Sequence, residues 1–282
     1  MLKIPFLLLS FFLVFNLKAQ TVCTPESREI VEKSLKKLES MDTKDMSTNE
    51  LAVEIGQWFL GTEYVAKTLE LPGPEKLVIN MVELDCTTYL ESVIALTRLA
   101  KLEEYTFEAF ERELELIRYR SGKNEGYPSR LHYFSDWMFT NGEKGLFLDV
   151  TEKIGGEPYE NNPGFMSSNP QFYPQLSDPK NVEEIKKAEA IIAERNYFFI
   201  PKEQVEELEE KIESGDLIAI TTSIDNLDMV HVGFAIEYQN RIHLLHASSG
   251  SMKVEISELP LSDYLARNKN QSGIMVSRLT SN

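Results

Sequence analysis

The sequence predicts an α+β fold in which helices come first and an antiparallel sheet comes last. Apolar residues recur at helical spacing through much of residues 25–119, whereas the four segments with strand character all follow residue 216. Between these regions, residues 122–179 are rich in glycine, proline, asparagine and aromatic residues. No internal repeat or low-complexity tract interrupts this order.

The first residues have the pattern of a secretory signal peptide. A lysine at position 3 precedes an apolar run at residues 4–15, and a small residue follows at Ala19. This run is shorter than the roughly 20 apolar residues of a transmembrane helix. We therefore predict a signal peptide at 1–19 and an exported, periplasmic protein with no transmembrane segment. Lipid anchoring at Cys23 is the less favoured alternative, because the residues before it are not the small ones that precede an acylated cysteine.

Charge and cysteine content exclude several classes of protein. The formal net charge is −16, which is ill suited to binding nucleic acid or an anionic membrane surface. Only Cys23 and Cys86 are present, so a disulfide framework is excluded. Residues 20–282 are expected to form one domain, with a helical N-terminal part to about residue 80. A monomer is expected, although no sequence feature determines the oligomeric state.

Residues 122–179 separate two groups of predicted helices. The middle segment at 122–179 is longer than a connector requires, and its aromatic residues argue against disorder, so we expect it to shape a functional site. The last predicted helix has a proline at its start and Gly215 just past its end, as helices prefer. Helices are predicted at 25–60, 87–102, 106–119, 182–194 and 201–213, and strands at 217–222, 230–238, 242–247 and 274–279.

Cys86 is the candidate nucleophile. Asp85 is a good N-cap residue, so Cys86 is predicted to be the first residue of a helix. The unpaired N–H groups and the dipole at a helix N-terminus favour a thiolate, which predicts a pKa below the usual value of about 8.5. The alternative is a small apolar residue of the core.

His231 is the candidate general base. In a strand, His231 shares one face with Gly233 and Ala235, whose small side chains leave space for a cleft above the sheet. The alternative is a surface histidine without a catalytic role. A cysteine that opens a helix, a histidine on a strand and a polar orienting group are the parts of a thiol acyl-transfer enzyme.

The next strand supplies the orienting residue. A tight turn at Gln239 and Asn240 would place His246 opposite Gly233 and Ser248 opposite His231. His246 would then lie diagonal to His231 on the same face, within side-chain reach. His243 would point to the opposite face. A register slip of one residue would exchange the two faces.

Several short blocks together resemble the NlpC-type cysteine peptidases of cell walls, and a wider set resembles their N-acetylmuramoyl-L-alanine amidase-like branch. The resemblance extends from about residue 55 to the C-terminus. Two departures are Thr87-Thr88, where Ser-Gly is commoner, and the long middle insertion. The matching blocks are Gly61-Thr62-Glu63-Tyr64, Glu83 to Glu91, Arg130-Leu131-His132-Tyr133, Gly215-Asp216-Leu217, Ile218 to Thr222, His231 to Ile236 and Leu245-His246-Ala247-Ser248.

The resemblance implies a papain-like NlpC-type fold with the nucleophile helix packed on the sheet. It also implies that the Tyr64 hydroxyl lies near the thiolate and helps to bind the oxyanion; a core aromatic is the alternative for Tyr64. Residues 130–137 carry polar and aromatic side chains suited to binding a sugar or a carboxylate. The alternative is that this segment only packs beneath a loop. The predicted substrate-binding residues are Asp85, Arg130, His132, Tyr133, Trp137 and Ser248.

The predicted function is hydrolysis of the amide between the lactyl group of N-acetylmuramic acid and L-alanine in muropeptides, with no metal or organic cofactor. An endopeptidase that cuts within the stem peptide, or a non-catalytic wall-binding module, is the alternative. A zinc amidase is disfavoured because His243 and His246 would point to opposite faces and no His-Glu-x-x-His motif occurs. A serine hydrolase is disfavoured because no Gly-x-Ser-x-Gly motif occurs.

Overall fold

The computed structural model describes residues 21–280, so the predicted signal peptide lies outside the described residues. Helices and strands are numbered here in chain order within that part. The helices are α1 Pro25–Ser40, α2 Thr48–Gln57, α3 Cys86–Leu102, α4 Phe107–Arg118, α5 Phe134–Glu143, α6 Thr151–Ile154, α7 Phe165–Ser168, α8 Pro179–Ala193, α9 Val205–Leu208 and α10 Leu261–Ala266. The strands are β1 Thr21–Cys23, β2 Glu63–Tyr64, β3 Leu77–Ile79, β4 Glu83–Leu84, β5 Phe147–Asp149, β6 Glu157–Tyr159, β7 Tyr197–Pro201, β8 Leu217–Thr222, β9 Met229–Tyr238, β10 Arg241–Ser248, β11 Lys253–Ile256 and β12 Gln271–Leu279.

The main sheet has the strand order β4-β2-β11-β10-β9-β8-β12-β7-β6, and β5 pairs with β12 off this path. Its long central strands are antiparallel, as predicted. The sheet is mixed rather than purely antiparallel, because β2 and β4 run parallel. A second, two-stranded sheet pairs β1 with β3 in parallel, which places Cys23 in a strand.

Helix α3 lies against the middle of the main sheet. It packs on β9 and β10 on one side and against α2 and α4 on the other. The shared core includes Tyr89 and Leu90 of the helix and Phe234 and Leu245 of the strands, all fully buried. Burial of a large apolar side chain contributes roughly 1.5–3 kcal/mol, so this interface holds the start of α3 firmly beside β9.

A second apolar cluster covers the other face of the sheet. Ile218, Ile220 and Leu244 of the strands meet Leu261 and Leu265 of α10 there. The central strands are therefore buried on both faces. This explains why β8 is buried throughout and begins with four consecutive apolar residues instead of alternating.

The structure corrects several sequence predictions. The segment at 122–179 is not irregular throughout, since it contains α5, two short strands and two short helices. The predicted helix at 201–213 is broken into short turns around α9, and its first residue, Pro201, ends β7. The sequence prediction also lacked β1 to β7, β11 and α10, so the strands are not confined to the region after residue 216. The predicted helix at 25–60 is two helices, α1 and α2, separated by residues 41–47. No helix within residues 21–280 is long and apolar enough to cross a bilayer.

Candidate active site

Cys86 is the first residue of α3, as predicted. The Asp85 side chain caps the helix by accepting a hydrogen bond from the Thr88 backbone N–H at 2.8 Å. The Thr88 hydroxyl in turn accepts from the Asp85 backbone N–H at 2.9 Å. Thr88, which departs from the commoner Ser-Gly pattern, thus closes a reciprocal cap. This cap fixes the backbone on which the thiol is carried.

The β9–β10 hairpin has the predicted register. Gln239 and Asn240 form the turn with positive φ angles of 53° and 60°, as a type I′ turn requires. Pairing from Arg241 opposite Tyr238 to Leu245 opposite Phe234 is continuous. The prediction that His243 faces Ile236, away from His231, is confirmed.

His231 and His246 are in direct contact. Nε2 of His231 lies 2.5 Å from Nδ1 of His246, and the two rings meet edge to face. Gly233 makes this approach possible, because a Cβ atom at that position would lie 2.9 Å from the Cβ of His246. A β-bulge between the Ile220–His231 pair and the Thr221–Met229 pair adjusts the start of β9. Since Nε2 is engaged, Nδ1 is the ring nitrogen of His231 that remains for a nucleophile.

Cys86 and His231 line one cavity of about 290 Å³. The backbone N–H of Val232 hydrogen-bonds the Cys86 sulfur and thereby favours the thiolate. Tyr64 is not among the residues that line this cavity, but it lies within electrostatic reach of Cys86. Burial, followed by the charges of Cys86 and Asp85, raises the pKa of Tyr64 to about 12. Its hydroxyl therefore keeps its proton and can donate.

The protonation states differ from the sequence prediction. Burial, and after it the Asp85 carboxylate, raises the pKa of Cys86 to about 12 instead of lowering it. Burial, with the neighbouring His246, lowers the pKa of His231 to about 3, and burial lowers the pKa of His246 to about 4. Loss of water outweighs the helix dipole at this site. The resting pair is therefore a neutral thiol and a neutral imidazole, and His231 must act as a base during attack.

This pairing predicts the pH dependence of thiol alkylation. A thiol whose pKa is raised is protonated at pH 7, so its thiolate fraction grows roughly tenfold with each pH unit below the pKa. We expect the iodoacetamide rate at Cys86 to rise continuously from pH 7 to pH 9, as followed by mass spectrometry of the Cys86 peptide. A rate that is already flat at pH 6 would show a preformed thiolate and contradict the neutral pair.

Four of the six predicted substrate-binding residues line the cavity: Asp85, Arg130, His132 and Tyr133. Trp137 does not. It is fully buried, stacks on Phe134 and Phe147 at ring distances of 4.6 and 5.3 Å, and donates to Glu91. Ser248 is also buried outside the cavity, where its hydroxyl accepts from the Ser251 backbone N–H at 3.3 Å. The predicted substrate contacts of Trp137 and Ser248 are therefore not retained.

Arg130 has a structural role in the cavity wall. Its guanidinium pairs with Glu70 at 2.5 Å and Glu75 at 3.2 Å, and all three side chains are largely buried. Beside it, Nε2 of His132 lies 2.8 Å from the carbonyl oxygen of Tyr127. Burial and the charge of Arg130 hold the pKa of His132 well below its usual range, so this ring is neutral.

Arg130→Ala is consequently expected to destabilise the fold by about 3–5 kcal/mol, because it leaves two buried carboxylates without their cation. Arg112→Ala is the matched control, since Arg112 pairs with Glu104 on the surface and should lose less than about 1 kcal/mol. Urea unfolding of both variants measures the difference. Equal stabilities would mean that the Arg130 pairs contribute nothing.

Sequence reasoning missed other residues of the cavity wall. Glu70, Arg118 and Asp228 line it and belong to no matching block, and Glu91 lies at the end of the block from Glu83 to Glu91 but had no predicted role. Arg118 pairs with Glu91 at 2.8 Å, and Asp228 accepts from the backbone N–H of Ser135 at 2.8 Å. Contacts between residues so far apart in the chain leave no signal in local spacing. Within residues 21–280, no group of three or more histidine, cysteine or acidic side chains is arranged to hold a metal ion.

Comparison with known proteins identifies a matching protein family. Residues 54–274 match the AmiA-like model, described as N-acetylmuramoyl-L-alanine amidase-like. The crystal structure of an N-acetylmuramoyl-L-alanine amidase from Bacteroides uniformis is 40% identical, with a TM-score of 0.79 over 83% of this chain and 99% of that chain. No functionally curated protein matches.

Two further solved structures are similar. A Bacteroides fragilis protein provisionally named a xylanase is 38% identical, with a TM-score of 0.77 over 80% of this chain and 100% of that chain. A Legionella pneumophila protein is 24% identical, with a TM-score of 0.68 over 90% of this chain and 94% of that chain. The last of these supports the fold alone.

Proposed function

Because the chain belongs to the N-acetylmuramoyl-L-alanine amidase-like family, we propose that it is a cysteine-dependent amidase acting on muropeptides. The scissile bond is the amide between the lactyl group of N-acetylmuramic acid and L-alanine. The observation that carries this proposal is the pair His231–His246, joined at 2.5 Å, at a cavity that also contains the Cys86 thiol.

The reaction proceeds by acyl transfer. The Cys86 sulfur attacks the lactyl carbonyl while Nδ1 of His231 takes the thiol proton. The tetrahedral oxyanion is stabilised by the Cys86 backbone N–H and the Tyr64 hydroxyl. When the C–N bond breaks, His231 returns its proton to the departing amine of L-alanine. Water activated by His231 then cleaves the thioester, which releases the lactyl carboxylate and restores the thiol.

The papain-like arrangement implied by the resemblance is part of this proposal. It is supported by the packing of α3 on β9 and β10, which brings the start of the nucleophile helix beside the histidine strand. We further propose that the protein acts outside the cytoplasm after removal of residues 1–19, where peptidoglycan is available.

A glycosidase is not proposed, despite the name of the Bacteroides fragilis relative. Glycoside hydrolysis needs two carboxyl groups free to flank the sugar bond. The carboxylates in the cavity wall are already engaged: Asp85 by the helix cap, Glu70 by Arg130, Glu91 by Arg118 and Asp228 by the Ser135 backbone.

A defined muropeptide tests the scissile bond. N-acetylmuramoyl-tetrapeptide is incubated with the protein, and the products are identified by mass spectrometry. Free N-acetylmuramic acid and a peptide that begins with L-alanine are expected. Cleavage between D-glutamate and the diamino acid would instead establish the endopeptidase, and intact substrate with tight binding would favour a wall-binding module.

A further inference from the structure

His246 has one ring nitrogen without a partner. Its side chain is fully buried, and no atom within residues 21–280 hydrogen-bonds Nε2. The proposed mechanism leaves Nδ1 of His231 free for the thiol, so the Nε2 proton of His231 is donated to Nδ1 of His246. The proton of His246 then sits on Nε2. A buried N–H without an acceptor is unfavourable, so the site needs a further group.

The strand register supplies one. Glu255 of β11 pairs directly opposite His246 of β10. Residues directly opposite in an antiparallel pair point to the same face, with Cβ atoms roughly 4.5–5.5 Å apart. Glu255 is partly buried, and its carboxylate makes no hydrogen bond or ion pair in the part of the chain that the structure describes. Glu255 is therefore an uncommitted acceptor at the strand position opposite the uncommitted donor.

Tyr264 of α10 closes this side of the site. Its ring meets the His246 ring edge to face at 5.6 Å, and its side chain is hydrogen-bonded by Gln271. Burial raises the pKa of Tyr264, and the nearby Cys86 and Glu255 groups add to this rise. Glu255 and the thiol thus both lie within electrostatic reach of Tyr264, which contacts the His246 ring.

We propose that Glu255 is a positioning residue of the active site: its carboxylate accepts the Nε2 proton of His246 and so holds His246 as the acceptor for His231. The negative charge also favours the imidazolium that forms when His231 takes the thiol proton. Glu255 touches neither substrate nor thiol. This inference rests on the proposed function for the roles of Cys86 and His231.

Kinetics of Glu255→Ala test the proposal. Turnover should fall at least about tenfold while KM stays within twofold, as for outer partners that orient a histidine. Glu255→Asp should recover part of the loss. The matched control is Glu258→Ala, because Glu258 is exposed and lines the same surface groove of about 340 Å³ as Glu255. Equal turnover in Glu255→Ala and Glu258→Ala would overturn the proposal.

Two readouts need no muropeptide and separate this inference from the proposed function. Nitrogen-15 NMR of the wild-type protein should show His246 protonated at Nε2, and Glu255→Ala should yield mixed tautomers. Alkylation of Cys86 by iodoacetamide should be slower in Glu255→Ala than in the wild-type protein, and it should be unchanged in Glu258→Ala. A wild-type protein that leaves muropeptides intact would refute the amidase, whereas a wild-type His246 protonated at Nδ1 would refute the role of Glu255 even if the variant fails to fold.

Discussion

Cys86→Ser should reduce muropeptide turnover by on the order of 10⁴-fold or more while leaving thermal stability unchanged. Serine matches cysteine in size, so the capped start of α3 is retained. The hydroxyl is far less acidic than a thiol, and His231 is already a weak base because burial lowers its pKa to about 3. Loss of a nucleophile that acts as a unit with its base removes nearly all chemical rate enhancement.

Cys23→Ser is the matched control for this variant. Cys23 is the other free cysteine, and it lies in β1, away from the cavity. This control should keep full turnover and full sensitivity to iodoacetamide. Turnover and thermal melting should be measured on the same preparations. Activity retained in Cys86→Ser, or lost in Cys23→Ser, would contradict the assignment of the nucleophile.

His246→Ala should reduce turnover by about 10²-fold to 10⁴-fold, which is the range for removal of the orienting member of a triad. His246 holds Nε2 of His231 at 2.5 Å and thereby directs Nδ1 to the thiol. Without it, the His231 ring is free to rotate or to take the other tautomer, and neither presents a base to the sulfur. The loss should appear in kcat more than in KM.

His243→Ala is the matched control for His246→Ala. His243 lies on the same strand and is equally buried, but its Nδ1 is bound to the Ser257 carbonyl oxygen at 2.8 Å on the other face. Its removal should cost about 1–2 kcal/mol of stability and leave turnover within about threefold of wild type. If His243→Ala were instead the inactive variant, His246 would not be the orienting residue.

Local chemistry made much of the site predictable. The Asp85 cap and the hairpin turn both depend on neighbouring residues, so the amino-acid sequence is enough to predict Cys86 at a helix start and the pairing of His231 with His246. The direction of the Cys86 pKa shift could not be predicted in this way. It depends on burial by the whole fold, which outweighs the local helix dipole.

Long-range packing accounts for the other differences. Trp137 has an aromatic ring of the kind that stacks on sugars, but this ring is packed between Phe134 and Phe147. The short strand β11 gave no sequence signal, because four residues are too few for alternation to be detected. That strand carries Glu255, so the proposed partner of His246 was missed with it.

The two-residue turn at Gln239 and Asn240 has a consequence for comparing members of this family. It sets the phase between the strand that carries His231 and the strand that carries His246. One inserted residue at the turn would retain the cysteine and both histidines in the alignment, yet it would rotate the second imidazole to the opposite face of the sheet. Inactive relatives of this kind would be recognised by the length of the hairpin loop and would be overlooked by any census of conserved side chains.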